Sequence, residues 1–206
     1  MTTKTVNLFT FDELSDSAKE KARDWYRTAS CDDSFSSEYI LDEAKEQAQK
    51  MGLDIDKIYY SGFSNQGDGC CYIGDWHASR VTSEVADGWG ESPATSEIKR
   101  IAGEFKAFAD KYPESSFRVK HSGHYYHKYC TDFTVSLGEE NDDSENLSQE
   151  EWSAAENSLI ETARDYMEWI YRQLEKEYEY QNSDECVDES ILANQYTFLE
   201  DGERED

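Results

Sequence analysis

The sequence predicts an α+β fold: helices packed on a small antiparallel sheet built from two hairpins, with a long amphipathic helix toward the C-terminus. Three observations carry this. Apolar residues recur at helical spacing in five separate stretches, while strict period-2 alternation fills others. The strand-like stretches come in pairs joined by turn-forming residues, which makes antiparallel hairpins rather than single strands alternating with helices. Finally, 14% of the 206 residues are aromatic, enough for a packed core although only 37% are hydrophobic. That length fits one domain, expected over residues 1–198. Residues 199–206 read as an acidic tail whose order the sequence leaves open.

Thr10-Phe11-Asp12-Glu13 has the capping-box pattern and Ser15 offers a second helix start. Ala18, Ala22, Trp25 and Tyr26 then mark a helix to about Thr28. A loop follows from Cys31, and a second helix spans about Ser37 to Met51, with Ile40, Leu41, Ala44 and Ala48 on one face and Gly52 as its C-cap. Ile55 to Phe63 is aromatic and β-branched, hence a strand. Asp68-Gly69 suits a type I′ turn, and Cys70 to His77 reads as the returning strand. Residues 82–96 read as a loop. Ile98, Ile101, Ala102, Phe105, Phe108, Ala109 and Tyr112 form an amphipathic helix stopped by Pro113. The second hairpin alternates Phe117, Val119 and His121 with Arg118 and Lys120, then returns through Tyr129 to Leu137. After an acidic linker at 139–146, Ser148 and Glu151 form another capping box. They start a helix whose buried stripe is Trp152, Ala155, Leu159, Ala163, Tyr166, Ile170 and Leu174. Cys186, Ile191, Leu192 and Tyr196 suggest a short last helix.

Charge narrows the function. Asp and Glu number 46 against 20 Lys and Arg, a formal net charge of −26. Residues 1–138 hold 23 acids and 16 bases, whereas residues 139–206 hold 23 acids and 4 bases. Such a field repels polyanions, which excludes a free-standing nucleic-acid binder held by phosphate contacts. Neither a signal peptide nor a membrane-length apolar run is evident, and the five cysteines are an odd set without CxxC spacing. A soluble intracellular protein is therefore expected, with no membrane partner and no cofactor. Gly67 and Gly69 make no phosphate loop, because no Lys-Ser/Thr follows them.

Four features could carry chemistry. His121, His124, His127 and Cys130 repeat every third residue and are of zinc-ligating type. Strand alternation would aim them in different directions, so a polar hairpin tip with backbone-bonded histidines is the simpler reading. Asp68-Gly69-Cys70-Cys71-Tyr72 resembles the Asp-Gly-x-Cys motif of ovarian-tumour-type cysteine proteases. That resemblance implies Cys71 as nucleophile, Asp68 in the oxyanion hole, and His121, His124 or His127 as base. The family begins a helix at its cysteine, whereas Tyr72 onward reads here as strand. Arg118 and Lys120 beside Tyr125, Tyr126 and Tyr129 could stack on single strands, although pairing with acids of the same fold is expected. Lastly, Glu161, Asp165, Glu168, Glu175 and Glu179 share a helix stripe of about 27 Å, continued by Asp184 and Glu185. Duplex DNA of that length carries about 16 charges. The stripe alone is therefore no copy of DNA, but with the linker and tail it makes a broad acidic face. Such a face suits a partner's basic surface; the simpler reading is a solvated surface that confers solubility.

Four blocks also carry a wider resemblance: Thr10–Arg27 (TFDELSDSAKEKARDWYR), Ile58–Gly74 (IYYSGFSNQGDGCCYIG), Val119–Asp132 (VKHSGHYYHKYCTD) and Trp169–Asn194 (WIYRQLEKEYEYQNSDECVDESILAN). Together they resemble a family of phage-encoded small acidic proteins often labelled antitoxin of a toxin–antitoxin stability system. The resemblance implies a phage accessory protein in the cytoplasm of a bacterial host, acting on a host factor, and implies no catalytic residues. The expected function is thus non-enzymatic: binding and neutralising a host toxin or anti-phage defence factor that presents a basic surface. A small cysteine hydrolase using Cys71 is the alternative, and the oligomeric state is left open.

Overall fold

A computed structural model describes residues 6–30, 37–82, 93–138 and 148–204. The fold is α+β, with five α-helices and two antiparallel sheets among the described residues. The chain divides into two compact units, one of Glu38–Leu174 and one of Met1–Ser37 with Glu175–Asp206.

In the larger unit, α2 (Glu38–Lys50) leads into β2 (Leu53–Ser61) and β3 (Gly69–His77). Then come α3 (Pro93–Lys111), β4 (Ser116–His121), β5 (Thr131–Ser136) and the greater part of α4 (Gln149–Gln181), up to Leu174. The four strands form one antiparallel sheet in the order β2-β3-β4-β5. Alternation sorts β3 onto two faces. Cys70, Tyr72 and Trp76 are buried beneath the helices, and Ile73, Asp75 and His77 point to the other side, where they are half-buried. The described helices pack on the face of Tyr72 and Trp76. Tyr72 Oη reaches the Ala163 carbonyl of α4 at 3.5 Å, Tyr166 Oη of α4 donates to the Ala44 carbonyl of α2, and Trp76 packs on Phe105 and Phe108 of α3. Trp76 also donates its indole N–H to the Met51 carbonyl at 2.7 Å, so this ring is buried without an orphaned donor.

A bulge in β2 explains a break in its pattern. Ile55 pairs with Gly74 and Lys57 with Ile73, which leaves Asp56 as the extra residue. The bulge brings Ile58 back to the buried face after Leu53 and Ile55. It also forces close approach: a Cβ on Gly74 would lie 2.1 Å from the Asp54 carbonyl oxygen, so only glycine fits opposite.

Two local expectations change. The β2–β3 connection is not a two-residue Asp-Gly turn but a seven-residue loop, 62–68. Its geometry is set by the Asp68 carboxylate, which accepts from the backbone N–H of Ser64 at 3.0 Å and Asn65 at 2.7 Å. Helix α3 begins at Pro93, five residues before Ile98, because proline is pre-organised for the first helical position. The rest of that expected loop at 83–92, the loop from Cys31 and the 139–146 linker lie outside the described residues. The expected capping box at α4 is present: Ser148 N–H donates to Glu151 Oε2 at 2.8 Å, and Glu151 N–H to Ser148 Oγ at 3.2 Å. Leu159, Ala163, Tyr166, Ile170 and Leu174 are buried along that helix.

The smaller unit joins α1 (Asp16–Ser30) and α5 (Asp184–Ala193) with a two-stranded sheet of β1 (Phe9–Thr10) and β6 (Thr197–Phe198). The Thr10–Glu13 box caps a single tight turn, Phe11–Glu13, and Ser15 caps α1. Phe11, Leu14, Ala18, Ala22, Val187, Ile191 and Phe198 form the core of this unit. Arg23 crosses from α1 to α5 and grips Asp188 with two bonds, at 2.6 and 2.7 Å. Residues 199–204 make a turn in which Leu199 N–H bonds to the Glu203 carbonyl at 2.8 Å and the Arg204 guanidinium lies over Trp25 and Tyr196.

Candidate functional site

Cys71 is the third residue of β3, directly opposite Tyr59, and has no exposed surface. Burial is the main reason its thiol is pushed up to about 11, with Cys130 adding to the effect. Cys70, on the helix-covered face, is likewise raised well above its ordinary value by burial. Asp68 spends its carboxylate on the loop backbone, as above. Among the described residues no histidine nitrogen bonds to Cys71. A thiol so placed stays protonated near neutral pH, and only the thiolate attacks.

The histidine cluster begins at His121, the last residue of β4, and continues through the β4–β5 loop, 122–130. His121 Nε2 lies 3.1 Å from the Tyr125 carbonyl, and His127 Nδ1 accepts from Tyr129 N–H at 3.3 Å. Two of the three imidazoles thus bond to backbone, and His124 rests edge-on against Tyr125. His121, His124, His127 and Cys130 are not gathered around a common point, and among the described residues no group of three His, Cys, Asp or Glu side chains could hold a metal ion. The loop instead presents tyrosines: Tyr125, Tyr126 and Tyr129 are 54%, 38% and 60% exposed. They are firmly seated. Tyr126 stacks on Tyr59 at 5.1 Å and Tyr129 lies beneath the Arg164 guanidinium at 5.1 Å. On the open face of the sheet Arg118 pairs with Asp75 at 2.7 Å and Asp56 at 3.4 Å, so this cation is already matched.

Several acidic residues singled out in the sequence also hold bases of this chain. In the larger unit Glu161 pairs with Arg164 at 2.8 Å, Asp165 with Arg100 at 2.7 Å, and Glu168 with Lys128 at 3.3 Å. In the smaller unit Asp184 binds Arg27 and lies 3.6 Å from Arg23. Glu175 is half-buried, and Glu179 and Glu185 are exposed. Pairs this exposed contribute about 0–1 kcal/mol each and exchange readily for a stronger partner. The local field is felt by Tyr180, whose exposed hydroxyl is pushed above its ordinary value by Cys186 first and then Glu189, Glu185 and Glu177.

One feature escaped the sequence. Antiparallel α3 and α4 are bridged by Arg172–Glu97, Arg100–Asp165 and Thr162–Glu104, the last at 3.3 Å. Beyond Thr162, toward the start of α4, a groove of about 740 Å³ opens between them. Ala107, Ala154, Ala155 and Ser158 line its walls, and Phe108 and Tyr112, with ring centres 4.9 Å apart, also line it. The signal was there in part: Ala155 puts a small side chain at the start of the stripe that later carries Leu159, Tyr166 and Ile170, and Ala154 and Ser158 lie beside it on the line that continues to Thr162 and Asp165.

Residues 37–184 match a family described only as a domain of unknown function, DUF8835, and the chain belongs to it. No curated protein matches the chain. No solved structure matches it either. The matched span contains all of the larger unit, with its sheet, tyrosine loop and α3–α4 groove.

Proposed function

We propose that this member of the DUF8835 family is a non-enzymatic binding protein. It captures and neutralises a protein of a bacterial host that presents a basic surface, a toxin or an anti-phage defence factor. It does so as a phage product in the host cytoplasm. One observation carries the reading: 46 acids face 20 bases, so even if every base were paired within the chain, 26 carboxylates would remain unmatched. Such an excess steers a basic partner into encounter and rejects acidic ones. Where the partner's basic surface is its nucleic-acid-binding cleft, occupation by carboxylates blocks it. Seated, exposed tyrosines at 125, 126 and 129 add the aromatic anchors on which interfaces concentrate their energy. The resemblance of four sequence blocks to phage proteins labelled antitoxins supports the phage setting. A Cys71 hydrolase gains no such support, since its thiol is buried and protonated.

The test is inhibition. A basic nuclease or toxin captured from bacterial extract is purified and titrated with the full chain. Stoichiometric loss of its activity at ~0.1 M salt, relieved toward ~1 M as the Debye length falls from about 10 to about 3 Å, is expected. Capture of no basic protein, or binding indifferent to salt, overturns the proposal.

A further inference from the structure

Resting on that reading, we infer that the groove between α3 and α4 is the docking site, and that its occupant is a basic amphipathic helix of the partner. The groove fits a helix rather than a strand. Its walls are two antiparallel helices, and a third helix can lay its ridges between theirs, whereas no sheet edge lies among the lining residues. Its length agrees. The Arg100–Asp165 pair closes one end and Lys111 with Glu151 marks the other, so α3 spans about 17 Å between them at ~1.5 Å per residue. That matches a docked helix of about three turns.

The chemistry of the walls sets the character of the occupant. Phe108 is held from behind by Trp76 at 6.0 Å, and Phe108 and Tyr112 are half-buried rings able to receive apolar side chains. Small residues at 107, 154, 155 and 158 leave the room those side chains need. Charge then selects the sign. Glu104, Glu151, Glu161 and Asp165 line the groove against Arg100 and Lys111, and Arg100 is already bridged by Glu104 and Asp165, each at 2.7 Å. Lys111 lies over the Tyr112 ring at 5.0 Å, Glu161 pairs with Arg164 at 2.8 Å and Glu151 accepts from Ser148 N–H at 2.8 Å, so the lining carries four carboxylates against two bases, a net of −2 that favours a basic occupant. A helix with an apolar stripe flanked by Lys or Arg satisfies both features, and an acidic helix is repelled.

The test uses the full chain and an amphipathic Leu–Lys peptide of ~18 residues, with a scrambled peptide of identical composition to isolate shape from charge. Binding is measured by fluorescence anisotropy at ~0.15 M salt. The amphipathic peptide is expected to bind at least about tenfold tighter than the scrambled one. Ala154→Trp, which fills the groove from an exposed position on α4, is expected to remove that advantage, and Gln49→Ala, exposed on α2 and outside the groove, to preserve it. Ala107→Trp on the opposite wall repeats the test if the first variant folds poorly. Equal affinity for both peptides, or full binding by folded groove variants, overturns the inference. If Ala154→Trp still inhibits a host protein that the native chain inhibits, the groove assignment fails and the binding function stands. If the native chain inhibits no basic protein, the function itself fails.

Discussion

Alkylation separates the two chemical readings of Cys71 most directly. The native protein is treated with iodoacetamide at pH ~7.5, and each cysteine-bearing peptide is followed by mass spectrometry. An ordinary thiol with pKa ~8.5 is about 9% ionised there, whereas one at about 11 is only about 0.03% ionised. The thiolate population of Cys71 is thus lower by about 300-fold. Its lack of exposed surface slows attack further, because the reagent must wait for local opening of the sheet. Cys130 and Cys186 are only half-buried and have ordinary access. Both are expected to react fully before Cys71 is detectably modified, and unfolding in urea is expected to equalise the rates. Labelling of native Cys71 as fast as Cys186 would refute the reasoning. It would mean an ionised, accessible thiol, which is the signature of a nucleophile, and would restore the hydrolase alternative.

The same burial makes stability fall in alkali. Cys70, Cys71, Tyr72 and Tyr166 all hold their protons more tightly folded than unfolded, each chiefly through burial. Their contribution is therefore complete below the unfolded thiol pKa of ~8.5 and is lost as pH rises toward the folded values. At about 1.4 kcal/mol per pH unit once the unfolded thiol is ionised, Cys71 alone removes about 1.6 kcal/mol between pH ~8.5 and ~10, and Cys70 acts in the same direction. Urea midpoints across that range check this, and a flat profile would count against it. Glycine replacements should show opposite signs. Gly202 has φ +87°, and an added Cβ would lie 2.1 Å from the Ala18 carbonyl, so Gly202→Ala is expected to cost at least about 2 kcal/mol. In Gly103, within α3, a Cβ meets nothing within 4 Å, so Gly103→Ala should gain about 0.5–1 kcal/mol. Denaturation of both variants measures the contrast.

What the sequence revealed, and what it hid, divides by the range of the interactions. Helices and their starts were legible because caps and periodicity are local; Ser148 and Glu151 signal α4 within four residues and form the bonds expected of them. The α+β class followed from the pairing of alternating stretches. Asp68-Gly69 misled because the dipeptide favours a tight turn, while the carboxylate's two bonds to Ser64 and Asn65 favour a longer loop. The Asp56 bulge is invisible without its partner strand, since it is defined by what Gly74 faces. Strands β1 and β6 have two residues each, too few for periodicity, and exist because nearly the whole chain length brings Phe9 opposite Phe198.

The acidic character shows the same division. Its amount is a sum over residues and needs no structure. Which carboxylates remain available is a question of long-range pairing: Asp165 meets an arginine 65 positions away and Asp184 one 157 positions away, and neither spacing has a sequence signature. Charge of this kind is also poorly selective, because a surface with 26 unmatched acids attracts any basic protein. For the binding function proposed above, selectivity must come from shape, and shape is where α3 and α4 would contribute. Small side chains at Ala154, Ala155 and Ser158 forgo the packing that larger residues would give two neighbouring helices, yet the rings of Phe108 and Tyr112 line the space they leave. A solubilising surface needs no such groove, whereas a protein that must choose one basic partner among many does.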